Sequence, residues 1–221
     1  MKLKSHLVLA YLISLSSIIG FGLLSLLISD QKIIYFDRAV IKVIQGSESI
    51  FLTRIMKLFT FIGSAPVVAV LSILTLIFLY KVLHHRLELI LFIYAVIGSA
   101  ILNGILKSFF HRMRPDLHRL IEIGGYSFPS GHAMNAFTVY GILSFLLWRH
   151  ITGKWGRGVL IFGSMVMILA IGISRIYLGV HYPSDIIGGY FASCFWITTA
   201  ILFFQFYKEK RYNKKYKSKA A

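Results

Sequence analysis

The chain has 221 residues, 57% of them hydrophobic, and a mean hydropathy of +0.74. A soluble domain of this size is rarely more than about half apolar. The net charge of +16 comes from 24 Lys and Arg against 8 Asp and Glu. These charges sit at the ends of apolar runs, so they read as anchors on anionic lipid headgroups and not as a nucleic-acid surface. The single cysteine, Cys194, excludes an intrachain disulfide and a cysteine metal site and reads as a small packing residue.

Uncharged apolar runs of about 18 residues or more are read as membrane-spanning helices. The first covers residues 7–28. It follows Lys2 and Lys4 as a signal peptide would, but its apolar stretch is too long and no small-residue cleavage site follows. Residues 30–57 are amphipathic. Ile33, Ile34, Phe36, Val40, Ile41, Val43 and Ile44 alternate with Asp37, Arg38, Lys42 and Gln45 at helical spacing. That pattern predicts one or two short helices lying in the outer interface.

Further spans are expected over residues 61–80, 87–110, 132–148, 159–173 and 186–207, the fifth short if it ends at Ser174 but able to borrow residues from either flank. Residues 208–221 carry seven basic residues and read as a solvated, disordered tail. The expected fold is all-α: a six-transmembrane-helix bundle with a short amphipathic interfacial segment between the first two spans. Residues 1–207 form a single integral membrane domain, and residues 208–221 a basic cytoplasmic tail. The alternating connections hold fourteen basic residues on the side of the termini and ten on the other. This bias puts both termini in the cytoplasm.

Three polar clusters interrupt the apolar pattern, and this orientation puts all three at the outer boundary. In "KSFFHRMRP", Lys107 and Arg114 are seven residues apart, two helical turns, and are expected to share one face, with Pro115 ending the helix. In "PSGH", Pro129 to His132, Ser130 suits a helix N-cap and Gly131 leaves room for a close ligand. The free N–H groups of such a helix start favour an anion. In "SRIYLGVHYPSD", Pro183 suits the first helical position, which puts Asp185 in the first turn, within reach of His181.

Together these residues read as phosphate handling. Arg114 and Arg175 can grip phosphate oxygens in a planar fork and Lys107 acts as a point charge, with Ser130 and Gly131 forming the rest of the cradle. Asp185 can hold one ring N–H of His181 and leave the other nitrogen free to attack phosphorus. His132 would protonate the leaving oxygen and then activate water.

The order Lys-x6-Arg-Pro, Pro-Ser-Gly-His, Ser-Arg-x5-His-x3-Asp resembles the three-part signature of the type 2 phosphatidic acid phosphatase (PAP2) superfamily. The motifs cover residues 107–185, and the six-span layout extends the likeness to nearly the whole chain. The resemblance implies a metal-independent lipid phosphate phosphatase without a cofactor. It implies a phosphohistidine at His181 and acid and then base work at His132. The substrate would be a membrane lipid phosphate at the outer face of a bacterial plasma membrane. Small bacterial members of the family point first to phosphatidylglycerophosphate, converted to phosphatidylglycerol, and second to undecaprenyl pyrophosphate.

The remaining polar residues read more plainly. Arg112, Arg119, His118 and His111 suit interfacial anchors. Asp116 could meet a headgroup or pair with Arg112, and His84 and His85 fall on the cytoplasmic side. Trp148, Trp155 and many tyrosines suit interface belts. The carboxylates expected near the cluster, Asp116, Glu122 and Asp185, face basic groups, so phosphate is a more natural guest than a metal. An anion or phospholipid transporter is the rival class. It is opposed by charges gathered at one face and by the lack of an inverted repeat. No obligate protein partner is evident, and the lipid bilayer is the expected surrounding.

Overall fold

The computed structural model describes the backbone of residues 2–81, 86–116 and 118–220; the side chains of residues 2–6, 86 and 212–220 are outside this description, as are His84 and His85 altogether. The described residues form eight helices: α1 (Lys2–Ser29), α2 (Ile34–Gln45), α3 (Ile50–Ile62), α4 (Ala65–Lys81), α5 (Arg86–Phe110), α6 (Gly131–Leu147), α7 (Lys154–Tyr177) and α8 (Pro183–Ala220).

Among the described residues, four stretches are long and apolar enough to cross a membrane: Leu7–Ser29, Leu87–Phe110, Lys154–Tyr177 and Pro183–Arg211. The number is five if α3 and α4, bent by 55° at a short break, form one broken span. The uniform second span expected over 61–80 is therefore replaced by a kinked pair. Its break falls at Gly63 and Ser64. The fourth expected span corresponds to α6, an apolar helix of only 17 residues. The fifth extends beyond 159–173 on both flanks, as α7 of 24 residues. The last helix continues to Ala220 in place of a disordered tail.

α6 lies in the interior of the bundle. It packs against α5, α7 and α8, and buries Met134, Val139, Ile142 and Leu146. Helices in lipid gain little from apolar burial alone, so small residues and hydroxyl pairs join them, each worth about 0.6 kcal/mol. Thr138 donates to Ser99 of α5 at 2.9 Å. Ser144 and Ser164 join α6 to α7 at 2.8 Å, and Ser193 of α8 donates to the Met134 carbonyl at 3.2 Å. α1 lies along α8, where Ser14 meets Thr199 at 3.0 Å.

The segment between the first two long helices forms two helices, as its periodicity predicts. Its orientation differs from the expectation. Asp37, placed by the pattern on the polar face, is 1% exposed, whereas Tyr35 is 85% and Val43 73% exposed. The acid turns inward because a guanidinium waits for it there. α3 begins at an N-cap, Ser49, whose Oγ accepts from Leu52 N at 3.2 Å. The buried Tyr177 hydroxyl pins this helix start to the end of α7 through Ser49 N and Thr53.

Candidate active site

Four helix ends meet at one place: the C-terminal ends of α5 and α7, and the N-terminal ends of α6 and α8. Two backbone features fix the meeting. Gly179, with φ +74°, turns the chain just after α7. A Cβ there would lie 1.8 Å from the His118 carbonyl oxygen, so only glycine fits. The turn delivers Val180 and His181 to the start of α8. Ser130 N donates to the Asp185 carbonyl at 3.1 Å, which ties the "PSGH" loop to the first turn of α8.

His181 is 2% exposed. Its Nδ1 lies 3.2 Å from Asp185 Oδ2, and its Nε2 lies 3.1 Å from Arg114 Nη1. Asp185 occupies the first turn of α8 as expected, and its Oδ2 also accepts from Tyr182 N at 2.9 Å. Burial pushes the His181 pKa down to about 4; Asp185 pulls it upward, while Arg175 and Arg114 reinforce the fall. The ring is neutral at neutral pH.

Arg114 does not share a helix face with Lys107. α5 stops at Phe110, and His111, with φ +49°, breaks the helix three residues before Arg114. The two cations meet all the same, because Lys107 Nζ and Arg114 Nη2 both donate to the Tyr126 carbonyl. Arg114 Nε reaches Gly124 O and Gly125 O at 3.2 and 3.0 Å, and Nη1 reaches Val180 O at 2.9 Å. Burial lowers its pKa, and Asp185 opposes that shift.

Arg175, 1% exposed, donates from Nη1 to Thr60 Oγ1 of α3. Its Nε is buried with no hydrogen-bond partner among the described residues, a state that buried donors rarely adopt. Ser174, the first residue of the third motif, donates to Ile171 O within its own helix at 2.7 Å. Ser130 caps α6, its Oγ accepting from Ala133 N at 3.5 Å. A Cβ on Gly131 would lie 3.0 Å from Asn103 Oδ1, so this glycine admits the Asn103 carboxamide. Asn103 Nδ2 in turn holds the Pro129 carbonyl at 3.1 Å. His132 stands against the kink between α3 and α4: a Cβ on Gly63 would be 3.3 Å from its Cδ2, and the Thr60 backbone hydrogen-bonds the ring.

The structure thus gathers His181, His132, Asp185, Lys107, Arg114, Ser130, Gly131 and Arg175. It adds residues that the pattern did not single out. Arg112 is no interfacial anchor. Its Nη1 donates to Asp185 Oδ1 at 2.7 Å and to Ser184 Oγ at 2.8 Å, and its Nη2 to Asp37 Oδ2 at 2.8 Å. Asp116 pairs with Arg119 at 3.6 Å and not with Arg112. Asp37 is therefore a carboxylate of the cluster that the sequence reading placed elsewhere. His118 pairs with Glu48 at 2.8 Å, and His111 packs edge-on to Tyr126, both exposed. Among the described residues no three His, Cys, Asp or Glu side chains converge as a metal site.

Comparison with known proteins agrees with this layout. The PAP2 superfamily matches residues 88–210. Phosphatidylglycerophosphatase B of Bacillus subtilis is 41% identical over 92 residues, 41% of this chain and 45% of that protein. YbjG of Escherichia coli, provisionally named an undecaprenyl-diphosphatase, is 38% identical over 90 residues, 40% of each chain. The matched stretches span less than half the length of these two relatives. A crystal structure described as the first transmembrane PAP2-type phosphatidylglycerolphosphate phosphatase from Bacillus subtilis superposes with a TM-score of 0.75 at 27% identity. That superposition covers 89% of this chain and 96% of the other.

Proposed function

The chain is a multi-pass membrane protein of the PAP2 superfamily, and on that premise we propose that it is a metal-independent lipid phosphate phosphatase working through a phosphohistidine. The observation that carries this reading is the clamping of His181 between Asp185 on Nδ1 and Arg114 on Nε2. A guanidinium can only donate, so Nε2 is the acceptor and the ring proton sits on Nδ1, facing the carboxylate. This is the tautomer that a nitrogen nucleophile needs.

In the first step, Nε2 of His181 attacks phosphorus, an N–P bond forms, and the P–O bond to the lipid alcohol breaks. His132 gives its proton to the departing oxygen. In the second step, His132 takes a proton from water, the hydroxide displaces the histidine, and inorganic phosphate leaves. Lys107, Arg114 and Arg175, with the Ser130–Gly131 helix start, hold the phosphate oxygens. The unpartnered Nε of Arg175 supports an anion there.

The proposed topology has six spans, counting the bent α3–α4 pair and the short α6. Both termini and the basic tail, residues 208–221, face the cytoplasm, and the site faces outward in a bacterial plasma membrane. Residues 1–207 act as one domain. An apolar groove of about 700 Å³ along α5 and α8, lined by Ile97, Ile101, Ile105 and Trp196, supports a substrate that keeps its chain in the membrane.

Phosphatidylglycerophosphate is the proposed substrate, supported by similarity in sequence and in fold to Bacillus subtilis phosphatidylglycerophosphate phosphatase. Undecaprenyl pyrophosphate is the second reading, favoured by similarity to YbjG. The test measures kcat/KM for both lipids, phosphatidic acid and glycerol phosphate in mixed micelles. Phosphatidylglycerophosphate should lead. A tenfold lead for undecaprenyl pyrophosphate, about 1.4 kcal/mol of transition-state binding, would reverse the order of substrates. Equal use of glycerol phosphate would rule out chain anchoring.

A further inference from the structure

We propose that Asp37, on the interfacial helix α2, is a positioning residue for the phosphoryl-transfer centre: it fixes Arg112, and through Arg112 the carboxylate that orients His181. The inference rests on the phosphatase reading above. It assigns a role to a helix that otherwise looks like a membrane-surface element.

Asp37 and Asp185 lie 148 residues apart in sequence and share one guanidinium. Arg112 gives Nη1 to Asp185 Oδ1 at 2.7 Å and Nη2 to Asp37 Oδ2 at 2.8 Å. Its guanidinium carbon also sits 4.1 Å from the centre of the Tyr182 ring, so the plane of the fork is held from a third side. The two carboxylates are 1% and 0% exposed, and Arg112 is 14% exposed. Buried charges of this kind persist only when every lone pair and proton is matched.

Here they are matched. Asp37 Oδ1 accepts from Ser184 N at 2.9 Å, which caps the first turn of α8 from another helix. Asp37 Oδ2 accepts from Ser184 Oγ at 2.7 Å as well as from Arg112. The Ser184 hydroxyl donates to Asp37 and accepts from Arg112, closing the loop.

The consequence for chemistry lies in how the Asp185 oxygens are divided. Arg112 takes Oδ1, so Oδ2 is left for His181 Nδ1 and Tyr182 N. Without a carboxylate opposite Nη2, the guanidinium keeps only the Ser184 hydroxyl and the face of Tyr182 beside Asp185, and its grip on Oδ1 loosens. Asp185 would then turn about its own side-chain bonds, and the imidazole would turn with it. Asp37 touches neither substrate nor the reacting nitrogen. Its effect should therefore reach the rate only by way of Asp185.

That route gives a test which a purely stabilising acid would not pass. In the full-length protein, Asp37→Asn keeps the volume and can still accept from Ser184 N, but it turns an amide donor toward Arg112. Hydrolysis of phosphatidylglycerophosphate in mixed micelles is measured for wild type, Asp37→Asn, Asp185→Asn and the double variant. We expect Asp37→Asn to lower kcat by about 10- to 100-fold, the scale of outer-partner substitutions at other sites, with KM within about twofold of wild type. The double variant should match Asp185→Asn alone to within about threefold, because the two residues act in series.

A kcat for Asp37→Asn within twofold of wild type, or losses that multiply in the double variant, would overturn the proposal. If Asp37→Asn fails to fold, Arg112→Lys carries the same test: one ammonium cannot hold both carboxylates, and its loss should likewise vanish in the Asp185→Asn background. A wild type that releases no phosphate from any lipid would overturn the phosphatase reading itself. That outcome is distinct from an active enzyme indifferent to Asp37.

Discussion

Arg114 Nη1 lies 3.1 Å from His181 Nε2, on the side of the ring opposite Asp185. The same guanidinium is held by the carbonyls of Gly124, Gly125, Tyr126 and Val180, so the loop before "PSGH" fixes where it can point. Arg114 therefore fixes the orientation of His181 from its Nε2 side, and in the proposed mechanism it also holds phosphate oxygens.

Arg114→Lys should accordingly be a severe substitution despite keeping the charge. A lysine carries its three N–H donors on a single nitrogen and cannot span those four carbonyls and the ring together. We expect kcat/KM to fall by about 100-fold, with part of the loss in KM, in steady-state phosphate release. A variant within threefold of wild type would show that the fork geometry is not used.

Asp185→Asn should lose at least about 100-fold in kcat. An amide at the Oδ2 position opposes the Nδ1 proton and favours the wrong tautomer, a change that costs up to about 10⁴ in a serine-protease triad. KM should be little affected, since both Asp185 oxygens are taken up by Arg112, His181 and Tyr182.

The neutral state of His181 has a consequence for stability. Its folded pKa of about 4 lies below the ordinary 6.5. The unfolded chain therefore binds the extra proton first as pH falls. Stability is complete above pH 6.5 and is lost progressively from there toward pH 4, by about 3 kcal/mol for this group. Replacing His181 with Asn should flatten the dependence of Tm on pH between 7 and 4.5. The ring of the free protein, followed by NMR of labelled histidine, should stay neutral at pH 5.5. A midpoint near 6.5 would contradict the burial argument. With the ring neutral at pH 5.5, an acid loss of rate above pH 5 belongs to the lipid phosphate, whose second pKa is near 6.

How much of this was legible in the sequence differs from residue to residue. The His181–Asp185 contact could be read because it is local: Pro183 starts a helix, and an acid in its first turn reaches back four residues. Ser130 was legible as a cap for the same reason. The Arg112 link was not, since Asp37 and Asp185 are far apart along the chain and Asp37 sits in a pattern that reads as a polar face. Nor was the break at His111, where a non-glycine residue adopts φ +49° and no proline marks the end of α5. Asn103 and Thr60 lie within apolar helices and carry no motif, yet they hold the Pro129 carbonyl and Arg175. Gly179 could have been found: a glycine just past a helical run is the usual signal of its end.

Gly179→Ala tests that turn. The new methyl would meet the His118 carbonyl in a left-handed backbone conformation. The cost should exceed the 1–3 kcal/mol, roughly, of conformational strain alone. We expect a drop of several degrees in Tm in detergent and a loss of activity at temperatures the wild type tolerates. An unchanged Tm would mean that residues 118 and 179 separate readily.

Activity should survive EDTA, because the site offers a cradle of cations and no converging ligand set among the described residues. Vanadate, which adopts the five-coordinate geometry of an in-line displacement, should inhibit competitively. A strict requirement for an added divalent ion would call for a different mechanism.

The most direct test of the central claim is to trap the intermediate. Wild-type protein mixed with lipid substrate labelled in its phosphate is quenched in alkali within a few turnovers, digested and mapped. Label should be found on the peptide containing His181 and be released by acid. His181→Ala should fold, bind lipid and carry none. Label on His132, or full phosphate release by His181→Ala, would contradict the assignment of His181 as the nucleophile.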